Sequence, residues 1–353
     1  MKLTVKLKAA LAATAVCAMA AAGVLVLPGA ASGKTATVIA FKNGKPTLKG
    51  ITMNVINSAG SAHVADTNVH DWVEIMNSWG ANVTQTNASK NVGELAVEGG
   101  KATVSVGPLP TQLDAGLKTF GPNQVHLTDA LFVKKSIKSL GDLKGKTLAY
   151  CCTASPDGVM LHAILQKAHL KRSTLHLVAT GASTASLDAL IAGKVTAAFA
   201  AAATADATVA KTQDHELAAA TTLLPEYADS FMASTPAWLK SHHKVAVAID
   251  LAWLASAKLF NTNEKQWVKN AATYTSNADS TAQYETAWKQ LRFLNGWPVT
   301  EKAYSDPVVT YNFKIAKELH TITGLGNRPR TQEITQSAWK AAWVIWRKHG
   351  KKL

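Results

Sequence analysis

Hydrophobic positions from residue 50 onward alternate between the spacing of a strand and the spacing of a helix. A short strand is predicted within 50–60, with Met53, Val55 and Ile56 as its apolar residues. The next apolar residues fall at i, i+3, i+4 and i+7, which predicts the buried stripe of a helix: Val69, Trp72, Val73 and Met76. Gly80 follows at the position where a C′ glycine ends a helix.

The alternation continues in two successive runs. In the first run we predict strands at ANVTQTNA (81–88), ATVSVGPLP (102–110) and HLTDALFVKK (126–135), with a short helix at VGELAVEGG (92–100). In the second run we predict strands at 145–152, 175–183 and 194–201, and helices at 156–169 and 184–193. Strands that alternate with helices favour parallel α/β units, and two such runs favour two lobes.

Two segments of these runs resemble each other. Residues 94–110 and 187–203 each contain a helix, a glycine, a basic residue and a strand that ends in small residues. In a two-lobed protein they would be corresponding elements that face each other across a cleft. From 237 to the end the pattern predicts mostly helices. The last helix has tryptophans at i, i+4 and i+7, a stripe that predicts docking on a lobe: Trp339, Trp343 and Trp346.

The first 32 residues have the pattern of an export signal. Lys2, Lys6 and Lys8 precede a long uncharged apolar run, which Pro28 and Gly29 break ahead of small residues. We therefore predict a cleaved Sec-type signal peptide over these 32 residues, with a single uncleaved membrane anchor as the alternative. No later segment approaches the ~18–20 uncharged apolar residues that a membrane span needs. We expect a periplasmic or otherwise extracytoplasmic protein.

The composition changes this picture little. The formal net charge of +14 falls to +11 once the three signal-peptide lysines are removed. The lysines are scattered and only five basic residues are arginines, which disfavours nucleic-acid binding. Beyond Cys17 in the signal peptide, the cysteines are Cys151 and Cys152. An exported chain without a disulfide framework must be held together by its core, and this length permits such a core.

Ligands of open α/β sheets bind where strands end and helices begin. Ser155 suits the N-cap and Pro156 the first position of one such helix. Free N–H groups at helix starts favour an anionic group such as a carboxylate, sulfonate or phosphate. Plain helix capping is the structural alternative. Four predicted junctions are rich in small hydroxyl, amide or glycine residues and poor in charge: Ser58–Ser61, Thr86–Ser89, Thr153–Ser155 and Gly181–Thr184.

Cys151 and Cys152 end a predicted strand, and three interpretations of the pair stay open. They are two small apolar residues that point to opposite faces, a vicinal disulfide formed on export, or a thiol that contacts the ligand. A metal site is not expected, because the chain has no CxxC or HExxH motif. The sequence has no GxSxG motif, and no combination of serine, histidine and an acidic residue identifies a catalytic triad. Two histidine pairs are spaced seven residues, roughly 10 Å, apart, too far to share one ion: His63 with His70, and His162 with His169.

Three segments carry a resemblance to a known family: SIKSLGDLKGKTLAYCC (136–152), ASLDALIAGKVTAAF (185–199) and FMASTPAWLKSHHKVAVAI (231–249). In this order they resemble the nitrate/sulfonate/taurine and thiamine-pyrimidine-precursor group of substrate-binding proteins of ABC importers. The resemblance covers most of 48–275. It departs at Thr196, where the family often has Asp, and in the Trp-rich end, which has no counterpart.

The resemblance implies the type II periplasmic-binding fold. This is an α/β fold with two lobes, each a mostly parallel sheet flanked by helices, here with an extra helical C-terminal segment. Lobe I would be 48–131 plus 229–353 and lobe II would be 132–228, with crossings near Phe132–Val133 and Ser230–Phe231. The junctions, the crossings and Gly107–Leu109 would line the cleft. The candidate ligand-binding residues are Ser58, Gly60, Ser61, Asn87, Gly107, Pro108, Thr153, Ser155, Ser183 and Tyr227.

We therefore expect an exported monomer that captures a small organic ligand and delivers it to an ABC permease. A sulfonate- or carboxylate-type anion is favoured as ligand, and the lack of arginine near the predicted cleft disfavours a doubly charged one. We expect no enzyme activity, cofactor or metal. One alternative is a ligand-sensing receptor subunit of the same fold. The other is a cysteine-dependent enzyme related to thiamine-pyrimidine chemistry.

Overall fold

The computed structural model describes residues 40–42, 45–58, 64–88, 92–151, 155–181, 183–202, 205, 209, 212–318 and 334–353. The predicted signal peptide lies outside the described residues. The strands are β1 Phe41–Lys42, β2 Lys45–Pro46, β3 Thr52–Asn57, β4 Asn82–Asn87, β5 Val104–Gly107, β6 Lys118–Gln124, β7 Asp129–Val133, β8 Thr147–Tyr150, β9 His176–Ala179, β10 Ala197–Ala201, β11 His215–Ala219 and β12 Ser230–Ser234. The helices are α1 Thr67–Ser78, α2 Val92–Glu98, α3 Leu109–Asp114, α4 Pro156–Lys167, α5 Ser183–Ile191, α6 Ala220–Leu223, α7 Pro236–Ser241, α8 His243–Thr262, α9 Glu264–Tyr274, α10 Thr281–Phe293, α11 Asp306–Glu318 and α12 Ser337–His349.

The first sheet has the strand order β4-β3-β5-β12-β6. Strand β3 pairs in parallel with β4 and β5, while β12 runs antiparallel to β5 and β6. Four strands therefore point one way and β12 points the other way. Burial alternates along β3, where Met53, Val55 and Asn57 are buried. This follows because successive side chains of a strand point to opposite faces of the sheet.

The second sheet, in the order β11-β7-β10-β8-β9, repeats the arrangement of the first. Strand β8 pairs in parallel with β9 and β10, and β7 is the reversed strand beside β10. The two similar sequence segments contain α2 with β5 and α5 with β10, and β5 and β10 hold equivalent positions in their sheets. The predicted correspondence between the two similar segments is confirmed, as is the two-sheet α/β fold. The strand predicted at 126–135 was assigned to the first run and instead belongs to the second sheet as β7.

The chain passes between the sheets twice. It leaves the first sheet after Gln124 and enters the second at Asp129, and it returns to the first sheet at Ser230. The two crossings contact each other: Leu127 N–H donates to the Tyr227 carbonyl oxygen at 3.1 Å, and Asp229 N–H donates to the Gln124 carbonyl oxygen at 2.9 Å. The residues predicted as crossings, Phe132–Val133 and Ser230–Phe231, lie within β7 and β12. The lobe boundaries at 131/132 and 228/229 stay a prediction.

Helix α8 is the central helix of the larger core. Most of its residues are buried, including Trp253 and Phe260. Within the described part of the chain, α8 is the helix that is long and apolar enough to cross a membrane. It instead packs between α1 and α12 against the first sheet, and its burial is that of a core helix.

The C-terminal tryptophan stripe docks on the first sheet's core, as predicted. Trp339 and Trp346 on α12 are buried, and Trp343 packs partly buried against the same core. The ring of Trp339 meets Trp253 edge-on, with the ring centroids 5.6 Å apart. Its indole N–H donates to the carbonyl oxygen of Glu301 at 2.9 Å. The stripe is therefore part of the core.

The sequence pattern did not predict α3, β6 or β12. Gly121 and Pro122 are residues that disfavour a strand, so the sequence of β6 lacks a clear strand pattern. Strand β6 tolerates proline because it lies at the edge of its sheet, where one side needs no backbone hydrogen bonds. Strand β12 is buried on both faces, so its residues show no alternation that would reveal a strand.

The glycine predicted to end α1 does so. The helix has its C-cap at Trp79, and Gly80 follows with φ of +96°, a left-handed conformation. We expect Gly80→Ala to lower the free energy of unfolding by about 1–2 kcal/mol, because a Cβ is strained in this conformation. The nearest atom to an added Cβ is 3.5 Å away, so crowding adds little. Urea denaturation measures the loss. Gly141→Ala, at a glycine without positive φ, is the control, and an equal loss there would contradict this explanation.

Candidate functional site

The carboxyl-terminal edges of the two sheets face each other across the crossings. In the first sheet Asn57 of β3 lies beside Asn87 of β4 and Val106 of β5. In the second sheet Ala201, at the end of β10, pairs with Asp129 at the start of β7. Since Asp129 directly follows one crossing, this edge adjoins the first sheet. Such strand ends are where open α/β sheets bind ligands.

The first junction contains a carboxylate of the protein itself. Ser58 Oγ donates to Glu94 Oε1 at 2.9 Å, and Thr111 Oγ1 donates to the same oxygen at 3.1 Å. Glu94 is fully buried, and burial raises its pKa despite these hydrogen bonds. A Cβ at Gly107 would collide with Glu94 Oε1, so the glycine makes room for this carboxylate. Pro108 is the N-cap residue of α3, with an extended backbone.

The third junction also contains a carboxylate. Ser155 is the N-cap of α4 and Pro156 its first residue, as predicted. Asp157 is 1% exposed, and its Oδ2 accepts a hydrogen bond from the Cys151 backbone N–H at 2.5 Å. Cys151 lies half-buried at the end of β8. Thr153 and Cys152 lie outside the described residues, so the three interpretations of the cysteine pair stay open.

The second junction is organised around Tyr274, the last residue of α9. Its hydroxyl donates to Asn87 Oδ1 at 3.1 Å and accepts from Gln85 Nε2 at 3.3 Å. Its ring stacks on His70, with centroids 5.5 Å apart. Burial raises the pKa of Tyr274 to about 12, and the Asp66 carboxylate contributes to the shift. The hydroxyl therefore stays protonated.

Asn57 is a buried amide in the same place. It is 3% exposed and lies close enough to the Tyr274 hydroxyl to affect the pKa of that group. Its Nδ2 has no hydrogen-bond partner of normal geometry. A buried donor of this kind is costly unless something accepts its hydrogen bond.

At the fourth junction the polar contacts are made within the protein. Ser183 is the first residue of α5 and is half-buried. The hydroxyl oxygens of Thr180 and Ser186 lie 2.7 Å apart, and Gly181 has a left-handed backbone with φ of +81°. The predicted residues Gly60 and Ser61 of the first junction lie outside the described residues.

Four aspartates connect the two sides of the site, and we call them the cleft carboxylates: Asp66, Asp129, Asp157 and Asp229. Burial raises the pKa of Asp129 well above its usual value, and the carboxyls of Asp157 and Asp229 raise it further. Burial also raises the pKa of Asp229, to about 7, with Asp66 adding to the effect. These four groups therefore act on one another across the crossings.

Tyr227 is a buried neighbour of the cleft carboxylates. It is 3% exposed, and burial, with Asp229 and Tyr311 nearby, raises its pKa. Its ring packs in the core of the second sheet, so it supports the crossing rather than lying open to solvent. Met232, which follows the second crossing in β12, is fully buried.

The structure thus places the described candidates at strand ends, at helix starts or on a crossing, and their contact with a ligand stays a prediction. The sequence analysis missed the acidic and amide groups around them: Asn57, Asp66, Glu94, Asp129, Asp157, Asp229 and Tyr274. One signal was available, since Asp157 directly follows the predicted N-cap segment Ser155–Pro156. Asp129 and Asp229 gave no such signal, because only the folded crossings bring them together.

Comparison with known proteins agrees with this fold. The family model described as NMT1/THI5-like matches residues 83–263. Curated protein sequences give no match to the chain. The periplasmic sulfonate-binding protein SsuA of Methylobacillus flagellatus is 14% identical with a TM-score of 0.66, covering 86% of this chain and 97% of its own. The periplasmic aliphatic sulphonate binding protein SsuA of Escherichia coli is 15% identical with a TM-score of 0.64, covering 81% and 92%.

An enzyme shares the fold as well. The desulfurization enzyme DszB is 12% identical with a TM-score of 0.57, covering 83% of this chain and 99% of its own. Identities this low show a common fold and leave the chemistry to the residues of the site. The predicted relationship to the substrate-binding proteins of ABC importers is confirmed at the level of family and fold.

Proposed function

The chain belongs to the NMT1/THI5-like family, and from this we propose that it is an exported solute-binding protein that delivers its ligand to an ABC permease. The observation that supports this proposal best is the meeting of two equivalent sheet edges at the crossings. Polar groups from both sheets lie there, and such strand ends are the usual ligand position of open sheets. The proposed lobes are 48–131 plus 229–353 and 132–228, and the two crossings between the sheets lie close to these boundaries.

Capture would depend on closure of the two lobes over the solute. A ligand that touches groups on both sheet edges stabilises the closed arrangement by its additional affinity for that state. Asn57, Asn87 and Tyr274 would contribute from the first sheet, and the start of α4 from the second. The sulfonate-binding descriptions of two structural relatives support an organic solute. They also support the anion favoured by the sequence, whereas the carboxylates at two junctions oppose it.

Native mass spectrometry of the protein purified from its export compartment tests capture. We expect a bound mass of a small organic molecule that is lost on mild unfolding. An empty protein that also shows no thermal shift with amines, guanidines, amides, sulfonates, carboxylates or pyrimidines would contradict the proposal. A permease encoded beside the gene favours transport over the ligand-sensing receptor alternative.

Cys151 favours one further candidate, a cysteine-dependent enzyme. It lies half-buried at the end of β8 beside Asp157, and DszB shows that an enzyme shares this fold. Turnover of a captured molecule that is lost in both Cys151→Ser and Cys152→Ser would establish the enzyme. Binding without turnover, unchanged in both variants, would exclude it.

A further inference from the structure

Two junctions that the sequence assigned to an anion already hold carboxyl groups of the protein. Glu94 accepts hydrogen bonds from Ser58 and Thr111 at the first junction. Asp157 accepts one from the Cys151 backbone at the third. An anionic ligand would have to compete with these carboxyls for the same donors. Both junctions are therefore poor places for a second negative group.

Asp129 and Asp229 place further negative charge on the crossings. Both residues are partly exposed, as residues that line a cleft are. Within the described part of the chain, neither forms an ion pair with lysine, arginine or histidine. Burial is the main cost of ionising Asp129, and the Asp157 and Asp229 carboxyls add to it; a positive group beside Asp129 and Asp229 would lower that cost.

Asn57, on the first sheet, is an independent indication that a ligand enters the cleft. Its buried Nδ2 makes no hydrogen bond of normal geometry, although the side chain lies within reach of the Tyr274 hydroxyl, and the Asp66 carboxylate acts on the same hydroxyl. Since buried donors are almost always paired in folded proteins, this amide indicates an acceptor supplied by something that enters the cleft. The carboxylates indicate a donor or a cation, so one molecule would have to provide both.

A metal ion does not fit this arrangement. In the residues that the structure describes, no three histidine, cysteine, aspartate or glutamate side chains are placed to hold one ion. The carboxyls of Asp157 and Asp229 are near enough to Asp129 to raise its pKa, and Asp66 raises that of Asp229, but among the described residues these groups do not form a metal-binding cluster. An organic cation spans such a spacing, because its charged nitrogen and its N–H groups are spread over several atoms.

We propose that the cleft binds a small organic cation, an amine or a guanidine, that also carries a hydrogen-bond acceptor. Asp129 and Asp229 hold the cationic nitrogen from the crossings, and Asn57 donates to the acceptor from the first sheet. This inference rests on the proposed function, because it names the class of solute that the protein captures. It replaces the sulfonate- or carboxylate-type anion favoured by the sequence.

A panel of charge-matched solutes tests the class of ligand. The cationic series is 4-aminobutanamide, 4-guanidinobutanamide, agmatine and choline. The neutral series is succinamide and butyramide, and the anionic series is succinamate, butyrate, butane-1-sulfonate and nitrate. Zinc and calcium chloride probe metal binding. Thermal shift followed by calorimetry on the mature protein is expected to show binding of at least one cationic amide, with the neutral and anionic members weaker or inactive.

Matched variants test the residues. Asp129→Asn and Asp229→Asn each keep the side-chain shape, and each is expected to weaken binding of the cation on the order of 10- to 100-fold, as for the loss of a charge-assisted hydrogen bond. Neither should weaken a neutral amide. Asn57→Leu is expected to weaken the cationic amide more than agmatine, which lacks the amide acceptor. Asp250→Asn is the control, because Asp250 is a fully buried carboxyl that lies away from the crossings, on α8 beside Gly121. A thermal melt of each variant verifies its fold.

The outcomes separate the two proposals. Anions that bind while cations do not would overturn the cationic ligand and leave solute capture standing. Binding of a metal ion alone, or equal losses in Asp129→Asn and Asp250→Asn, would also overturn it. If no panel member binds, fragmentation of the molecule found by native mass spectrometry decides: an amine or guanidine supports the inference and an acid overturns it. No bound molecule and no shift would end both proposals.

Discussion

Between pH 4 and pH 8 the free energy of unfolding is expected to fall as the pH rises. Five carboxyl groups have pKa values raised by burial, of which Asp71, Glu94 and Asp250 are buried and Asp129 and Asp229 partly exposed. Each folded-state group holds its proton to a higher pH than in the unfolded chain. Stability is therefore fully present below about pH 4 and is lost as the pH rises through the folded values. The pKa of Asp71 and that of Asp229 are raised to about 7, which places much of the loss below pH 7.

Asp71 alone accounts for a large part of this effect. It is 3% exposed, and one of its oxygens accepts a hydrogen bond from Asn270 Nδ2 at 2.6 Å while the other has no partner. A pKa raised from 3.8 to about 7 corresponds to about 4 kcal/mol lost by pH 8, at about 1.4 kcal/mol per pKa unit. His70 opposes the trend slightly, since burial lowers its pKa. Urea denaturation between pH 4 and pH 8 measures the summed effect of these carboxyl groups and His70 on the free energy of unfolding.

The Asp71→Asn variant isolates the contribution of the Asp71 carboxyl to the pH dependence of the free energy of unfolding. The amide oxygen can still accept from Asn270, and the neutral group has no proton to lose. We expect the variant to be more stable than the parent by about 2–4 kcal/mol at pH 8 and nearly equal at pH 4.5. Asp188→Asn, at an exposed carboxyl of α5, is the control for the removal of one negative charge from the surface. A parent protein whose stability rises from pH 4 to pH 8 would show that these carboxyls are not buried as described.

Regular periodicity was the part of the fold that the sequence could predict. Helix α1 was predicted from its apolar stripe, which is formed by Val69, Trp72, Val73 and Met76. The docking of α12 was predicted from its tryptophan stripe in the same way. These predictions rest on the spacing of residues that are close in sequence, which does not depend on how distant parts of the chain fold. Strand β12 could not be recognised in this way, because its partners β5 and β6 come from more than 100 residues earlier in the chain.

The same distinction between local signals and long-range contacts applies to the candidate site. Junction residues such as Ser155 could be predicted, because a cap and a proline at the first helical position are local signals. The charge of the site could not, because it arises from residues that are distant in sequence. Asp129 and Asp229 are separated by 100 positions and meet only when both crossings fold. The sequence therefore located the edge of the sheet but did not reveal the carboxyl groups that gather there.

Loss of the Trp339 ring is expected to be among the most destabilising single changes in the first lobe. Trp339 is 1% exposed and fills the space between α12 and α8, where it meets Trp253, Tyr304 and Trp343. Trp339→Ala would leave a cavity and the Glu301 carbonyl without its indole donor. Together these cost about 3–5 kcal/mol of the free energy of unfolding, the usual range for a buried tryptophan cut to alanine.

Two variants separate packing from hydrogen bonding at this position. Trp339→Phe keeps most of the ring and loses the bond to Glu301, so we expect a smaller loss of about 1–3 kcal/mol. Trp343→Ala, at a partly buried ring of the same helix, should also cost less than Trp339→Ala. Denaturant titrations followed by tryptophan fluorescence and circular dichroism give each value. A loss below 1 kcal/mol for Trp339→Ala would mean that α12 is not part of the first core, because a helix that packs through this ring cannot lose it without exposing the apolar surface of α8.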